Sequence, residues 1–440
     1  MRHGNRCMQQ VGCWLSSAVL LVALTTSVSA QGGDKEHRFL TGPLTIRDQG
    51  SFYIGGVPKV TNYAASPTAG APQQIMVGQM YVQFQIPEKD HDKNWPVIMV
   101  HGSTHTAACL ESTPDGREGW EPYFVRHGVP VYVVDQAGRG RSGFDESVIH
   151  EGEAMVNSGD VAGGTALIPS FGRITSNGAW TAWFGHLVPT GSTILTGTLI
   201  KHGDPGDPIC ATDPSHCTYG PAFPIGTIDT PEAPANLTLT GTWGSAPLGP
   251  LSYYELNYYK QLVPNAEVTL PGSTCPSCSP TTLAPSSTWT PFDLALLVER
   301  LGGAVVATHS QSGIMGHHLV RILRERGHLS LLKGLVTIEG SCSFTNSGLT
   351  AADFDNVPYL ALKGDYTGTS SVCVSAVNDI NARRATGVGT AKADYVQLDD
   401  PSFAGAFNGT THMMMIGTTN LAVADVILKW AAENIKDKKH

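Results

Sequence analysis

Residues 302–316 read Gly302-Gly303-Ala304-Val305-Val306-Ala307-Thr308-His309-Ser310-Gln311-Ser312-Gly313-Ile314-Met315-Gly316. Ala304 to Ala307 is a short apolar run of the kind that forms a fully buried strand. A cluster of small residues follows, and then Ile314, Met315, Leu319, Ile322 and Leu323 fall on one helical face. A strand that turns sharply into a helix with a serine at the apex exposes that serine's hydroxyl, and such a turn demands small residues two before and two after the apex. With Ser310 at the apex those residues are Thr308 and Ser312, so the glycine form G-x-S-x-G is absent. The Gln311 amide then faces the same space as Ser310 Oγ, and the start of the helix favours negative charge there. The plain alternative is a serine-rich loop entering a helix.

The chain has 440 residues, which favours one large domain with an insertion, or two domains. Its formal net charge is −9, so it lacks the basic footprint of a nucleic-acid binder. Arg2, His3 and Arg6 precede an apolar stretch from Trp14 to Leu24 and the small residues Val28-Ser29-Ala30. That order describes a secretory signal peptide over residues 1–30, followed by a mature chain beginning near Gln31. The apolar stretch is too short for a stable membrane span, and no other stretch is long enough. The expected location is extracellular, or periplasmic in a Gram-negative source. Asn236-Leu237-Thr238 and Asn408-Gly409-Thr410 are glycosylation sequons, usable only in a eukaryotic source.

Nine cysteines are present, two of them, Cys7 and Cys13, within the signal. Export favours disulfides, and Cys210–Cys217, Cys275–Cys278 and Cys342–Cys373 are the candidate links. Cys275-Pro276-Ser277-Cys278 lacks a second ligand pair at zinc spacing, so it reads as a loop disulfide rather than half a metal site.

Before the serine turn, alternating runs in residues 39–55 and 74–87 suggest opening antiparallel strands. Pro96 to Val100 and Val129 to Asp135 are apolar strands of a sheet covered on both faces. The first runs into His101-Gly102-Ser103-Thr104-His105, where glycine lets the chain fold back and aim an amide at a developing alkoxide. Ser103 N–H and Gln311 N–H are the expected oxyanion donors. The second runs into Gln136-Ala137-Gly138-Arg139-Gly140-Arg141-Ser142, a turn in which Asp135 and both arginines read as structural. Residues 144–287 are turn-rich and poor in charge, which marks them as an insertion, or cap, between core segments 31–143 and 288–440. Trp180, Trp183 and Phe184, and Tyr253, Tyr254, Tyr258 and Tyr259, cluster there. Their expected role is the cap's own small core, with a lining for an apolar acyl or aryl pocket as the alternative.

After the serine turn, Leu335 to Glu339 and Pro358 to Asp365 are strands ending in acids, and Tyr395 to Leu398 is a last strand. His412 follows in a loop before an amphipathic helix from Leu421 to Ile435. The alternation of strands and helices predicts an α/β fold, a mostly parallel sheet with helices on both faces. The order Ser310, acid, His412 is that of α/β-hydrolases, with His412 as general base. His309, His317 and His318 are poor rivals, beside or behind the turn, and His105 borders the pocket. Two acids compete: Asp365 sits on the more usual strand, and Glu339 lies one strand nearer the serine.

Several stretches together resemble the 713-type bacterial esterases, α/β-hydrolases without the glycine elbow. They are His101-Gly102, Thr113-Pro114-Asp115-Gly116-Arg117, Gly119-Trp120, Tyr123-Phe124, Asp135-Gln136, Gly138-Arg139-Gly140-Arg141-Ser142, and His412-Met413-Met414-Met415 with Asn420-Leu421-Ala422-Val423-Ala424-Asp425. The resemblance covers residues 96–142 and 302–435 and leaves the insertion unmatched. It implies Glu339 as the acid. It also implies an adjacent cysteine pair at the oxyanion hole, where this chain has Ser103-Thr104 instead.

The expectation is therefore a secreted serine carboxylic-ester hydrolase, without metal or cofactor, acting on a small or polymeric ester. A lactonase or an aryl-ester or polyester hydrolase would use the same groups. From another class, a hydrolase-fold binding protein would have lost them, and this chain keeps a serine, an acid and a histidine. Epoxide hydrolases and dehalogenases need an aspartate where Ser310 stands. The sequence is silent on oligomeric state.

Overall fold

The computed structural model describes residues 40–438 apart from 115, 171, 176–178, 180–182, 184, 191–192, 202–252, 271–288, 365–367 and 408–409. The side chains of 185–201, 253–256 and 346 are also outside the described set. The signal peptide expected over residues 1–30, four of the candidate cysteines and much of the expected insertion fall outside it.

In chain order the strands are β1 (Ile46–Thr61), β2 (Gln73–Pro87), β3 (Val97–Val100), β4 (Val131–Asp135), β5 (Gly185–Thr190), β6 (Thr193–Lys201), β7 (Ala304–His309), β8 (Leu332–Ile338), β9 (Tyr359–Lys363) and β10 (Ala393–Gln397). The helices are α1 (Ala108–Glu111), α2 (Trp120–Arg126), α3 (Ser147–Asn157), α4 (Val161–Leu167), α5 (Tyr253–Lys260), α6 (Trp289–Arg300), α7 (Ser312–Glu325), α8 (Ser371–Ala385) and α9 (Asn420–Asn434). Among the described residues the main sheet runs β1-β2-β4-β3-β7-β8-β9-β10, and β5 with β6 forms a separate hairpin. β1 and β2 pair antiparallel, as do β2 and β4, and every later neighbour is parallel. The opening antiparallel strands and the mostly parallel remainder are those expected from the sequence.

Side-chain alternation along the parallel strands divides the core in two. Val97, Met99, Val305, Ala307, Val336 and Ile338 face one way and pack with Trp120, Phe124, Val423 and Ile427 of α2 and α9. Ile98, Val100, Ala304, Val306 and Leu335 face the other way and pack with Leu294, Leu297, Leu319 and Ile380 of α6, α7 and α8. Burial on both faces explains why these strands read as unbroken apolar runs. A disulfide joins Cys342, after β8, to Cys373 in α8, one of the three links considered from the sequence.

The span expected as an insertion is tied into this core at its C-terminal end. Tyr258 and Leu262 are buried in the α2/α9 cluster. Val263 N–H donates to Thr104 O at 2.8 Å, and Ala266 N–H to Gly138 O at 3.1 Å. This return segment therefore clasps the loops that follow β3 and β4.

Candidate functional site

All six residues of β7 are buried, and the chain leaves it through Ser310 at φ +56°. That left-handed conformation is uncommon for a non-glycine residue and throws the serine side chain clear of the strand. The turn is stitched by Ser310 N–H to Ile338 O at 2.8 Å and Gly313 N–H to Ser310 O at 3.0 Å. Ser312, standing where a glycine is usual, uses its hydroxyl to accept from His309 N–H at 2.8 Å and to donate to Val100 O at 3.0 Å. Thr308 donates its hydroxyl to Val336 O at 3.1 Å. The room comes from other glycines: a Cβ on Gly313 would lie 3.0 Å from Gly340 Cα, and one on Gly316 would lie 3.1 Å from Thr308 Cγ2.

The structure brings Ser310, His412 and Glu339 together. His412 Nε2 lies 2.8 Å from Ser310 Oγ, and its Nδ1 lies 3.1 Å from Glu339 Oε2. With Nδ1 protonated toward the carboxylate, Nε2 is free to accept the serine proton. Glu339 follows β8 at φ +53°, and its other oxygen accepts from Gly364 N–H. Burial works against its charge, but the hydrogen bond and charge of His412, the Lys363 ammonium and the Gly364 amide outweigh it. They hold the carboxyl below its ordinary range. Asp365, the rival acid, lies outside the described residues.

His412 is held by elements distant in sequence. His309 Nε2 donates to His412 O at 2.8 Å, so the histidine beside Ser310 anchors the backbone of the other. Arg117 donates to Gly417 O at 2.8 Å and Ile416 O at 3.0 Å. Trp120 Nε1 donates to Asn420 O, and Asn420 Nδ2 to Glu118 O, both at 2.8 Å. Met413, Met414 and Met415 are fully buried. The motif around Arg117 and the motif around His412 are thus two sides of one joint.

Gly102 brings the end of β3 against the serine: a Cβ there would sit 2.9 Å from Ser310 Cβ and 2.8 Å from His309 Nδ1. The amides of Ser103 and Gln311, expected as oxyanion donors, have no acceptor among the described residues. His105 Nδ1 donates to Ser103 O at 2.7 Å, and its Nε2 accepts from Tyr258 OH at 3.0 Å. Burial pushes His105 down to about 3, and burial with the Arg139 charge pushes His101 down to about 4, so both rings stay neutral at physiological pH.

Two of the clustered aromatic residues lie at the site. Trp183 lies nearly parallel to the His412 ring, centroids 6.1 Å apart and planes 18° apart, and 5.1 Å from His105. Trp183 and Tyr258 thus both pack against His105, and Trp183 also against His412, as the pocket-lining alternative expects, while Tyr258 also packs on Tyr259, ring centroids 5.7 Å apart. Trp180, Phe184 and the side chains of Tyr253 and Tyr254 lie outside the described residues. Sequence reasoning missed Lys363, which donates to Gly340 O at 3.0 Å beside Glu339, because a lysine at a strand end carries no signal of its own. Among the described residues no group of three or more His, Cys, Asp or Glu could hold a metal ion.

A serine hydrogen-bonded to an imidazole that is in turn held by a carboxylate can be deprotonated as it attacks an electrophile. No protein-family model matches the chain. A stretch of 139 residues is 32% identical to "Probable secreted lipase phiG" from Fungal sp. (strain ATCC 74256), covering 30% of this chain and 31% of that protein's length. Among solved structures, a bacterial esterase aligns over 89% of this chain and 98% of its own, with a TM-score of 0.62 and 25% identity. A fungal esterase from Rhizomucor miehei aligns over 88% of this chain and 87% of its own, with a TM-score of 0.32 and 9% identity. That likeness is too slight to carry weight.

Proposed function

This chain belongs to the α/β-hydrolase superfamily, and on that premise we propose that it is a serine carboxylic-ester hydrolase. Ser310 Oγ attacks the ester carbonyl while His412 Nε2 takes its proton. Glu339 orients the imidazole and stabilises its charged form. The Ser103 and Gln311 amides receive the oxyanion, and positioned donors of this kind contribute about 100–1000-fold each. The protonated His412 returns its proton to the leaving alcohol, giving an acyl-enzyme. Water, activated by the same histidine, then releases the acid.

One observation carries this reading: the continuous contact from Ser310 Oγ through His412 to Glu339, at 2.8 and 3.1 Å, with Ser310 at the apex of a strained strand-to-helix turn. The likeness to a bacterial esterase supports the reaction class. The signal-like start of the sequence and the Cys342–Cys373 disulfide support export. Trp183 beside His412 favours a planar or apolar group on the substrate, so aryl esters and aromatic polyesters stand as the second reading.

The test is hydrolysis of p-nitrophenyl esters of graded acyl length by wild type and Ser310→Ala. Activity in the wild type and its loss in the variant is the expected result. A wild type inert on every ester would return the chain to the class of hydrolase-fold binding proteins.

A further inference from the structure

On the reading that the Ser103 amide receives the oxyanion, we propose that Arg139 is a positioning residue for it, polarising from behind the peptide unit that carries that amide. Gly102 C=O and Ser103 N–H belong to one peptide group. Arg139 Nη1 donates to Gly102 O at 3.1 Å. His101 Nδ1 donates to the same oxygen at 2.8 Å, its tautomer fixed because Nε2 accepts from Gln136 N–H at 3.1 Å. The carbonyl end of the donor peptide is therefore bonded to a cation and a neutral imidazole, while its N–H end is left for the substrate. Hydrogen bonds in such a chain polarise one another, and an ionised donor does so most strongly.

The guanidinium is built into place. It is 1% exposed. Its Nε donates to Asn265 Oδ1 at 3.2 Å, and Ala266 N–H clasps the preceding Gly138 O. Gly138 has φ +74°, and a Cβ there would strike Glu267 N at 2.4 Å, so turn and return segment fit only in this register. Burial lowers Arg139 to about 10 against the support of the Glu267 carboxylate, which leaves it charged at neutral pH. Arg141, two residues on, is spent differently: it binds Asp135 through Nε at 2.8 Å and Nη2 at 3.1 Å, bracing the turn. The neighbouring arginines thus divide, one to the turn and one to the oxyanion peptide.

The experiment compares wild type, Arg139→Lys and Arg139→Gln by p-nitrophenyl acetate kinetics per titrated active site, and by inhibition with an aryl trifluoromethyl ketone. The ketone adds Ser310 Oγ to its carbonyl carbon and places the resulting hemiketal oxyanion where the ester's would form. For Arg139→Gln we expect kcat about tenfold to a hundredfold lower, below the loss of a whole donor. KM should stay within about threefold, and ketone affinity should fall in step with kcat. Arg139→Lys, which keeps the charge but not the planar fork, should recover part of both losses. Unchanged kcat and ketone affinity per titrated site, or a loss confined to KM or to the titre, would overturn the proposal and leave Arg139 a brace. Should Arg139→Gln yield no folded protein, Arg139→Lys decides by the same split. A wild type that ignores both ester and ketone overturns the hydrolase reading instead, an outcome distinct from an active wild type with indifferent variants.

Discussion

Glu339 and Asp293 are two carboxylic acids shut away from solvent in the same frame of sheet and helices, and they are held in opposite states. Asp293, on α6, is fully buried, and neither of its oxygens has a hydrogen-bond partner among the described residues. Burial, with the nearby Glu267 carboxylate, pushes it up to about 9, so it keeps its proton at neutral pH. Glu339 is nearly as buried, yet His412, Lys363 and Gly364 surround it with donors and positive charge and keep it ionised. Burial neutralises a carboxyl by default. An ionised one inside the molecule has to be assembled from its neighbours, and that assembly marks the site.

The largest expected effect separates the two acids by activity. Glu339→Gln should lower kcat by about 10⁴-fold, the scale seen when a triad acid is replaced by its amide. Asp293→Asn should leave kcat within about twofold, since it touches nothing in the site. Equal losses in steady-state kinetics would erase the distinction.

Next come two glycines, each beside one acid's region. Gly102→Ala would push a methyl onto Ser310 Cβ and should lower kcat by about 100-fold with the fold intact. Gly55→Ala would place its methyl 1.8 Å from Asp293 Oδ1, at a φ of +68°. It should lower Tm by several degrees while kcat per titrated site is kept. Thermal melts beside active-site titration read both.

A smaller effect sharpens the electrostatics. Lys363→Met removes the ammonium that helps keep Glu339 ionised, so the acid limb of the kcat/KM profile should move to higher pH. The loss at neutral pH should be about fivefold or less. An unmoved limb would mean that His412 and Gly364 suffice.

The smallest effect is on stability. Native Asp293 holds its proton up to about 9, whereas the unfolded chain releases it near the ordinary aspartate value of 3.8. Between those values the unfolded state binds fewer protons, so this residue makes stability fall as pH rises. Glu339 has the opposite sign, stabilising above its unfolded pKa and losing that contribution as pH falls through its lower folded one. Asp293→Asn should therefore gain about 2–4 °C in Tm over wild type at pH 8, with a smaller gain at pH 5. Melting curves at the two pH values check it, and a gain that does not grow with pH contradicts the protonated state.

Much of the frame could be read from the chain because doubly buried strands write themselves as apolar runs, as β3, β4 and β7 do. Ser310 and His412 stood out because one sits at a strand-to-helix turn and the other after the last strand. The choice between Glu339 and Asp365 could not be read off. Adjacent strands are about 4.8 Å apart, less than the difference a longer side chain and a rotated backbone can make up. Resemblance to a family pointed to Glu339, and Glu339 is the carboxylate the structure puts against His412. The missing elbow glycines were likewise opaque, since the space supplied by Gly313, Gly316 and Gly340 exists only once α7 lies on the sheet. Arg139 meets Asn265 across 126 residues of sequence, a separation over which no local pattern speaks. For the same reason the sequence leaves Trp183 open between cap core and pocket lining: nothing near it in the chain announces His412.

The most direct measurement is reaction with diethyl p-nitrophenyl phosphate, followed by p-nitrophenolate release and peptide mass. Wild type should release p-nitrophenolate in a stoichiometric burst and carry the phosphoryl group on the Ser310 peptide. Ser310→Ala should do neither, and Glu339→Gln should label far more slowly at the same serine. No burst from folded wild type, or a label on any other residue, would contradict a hydrolase built on Ser310, His412 and Glu339.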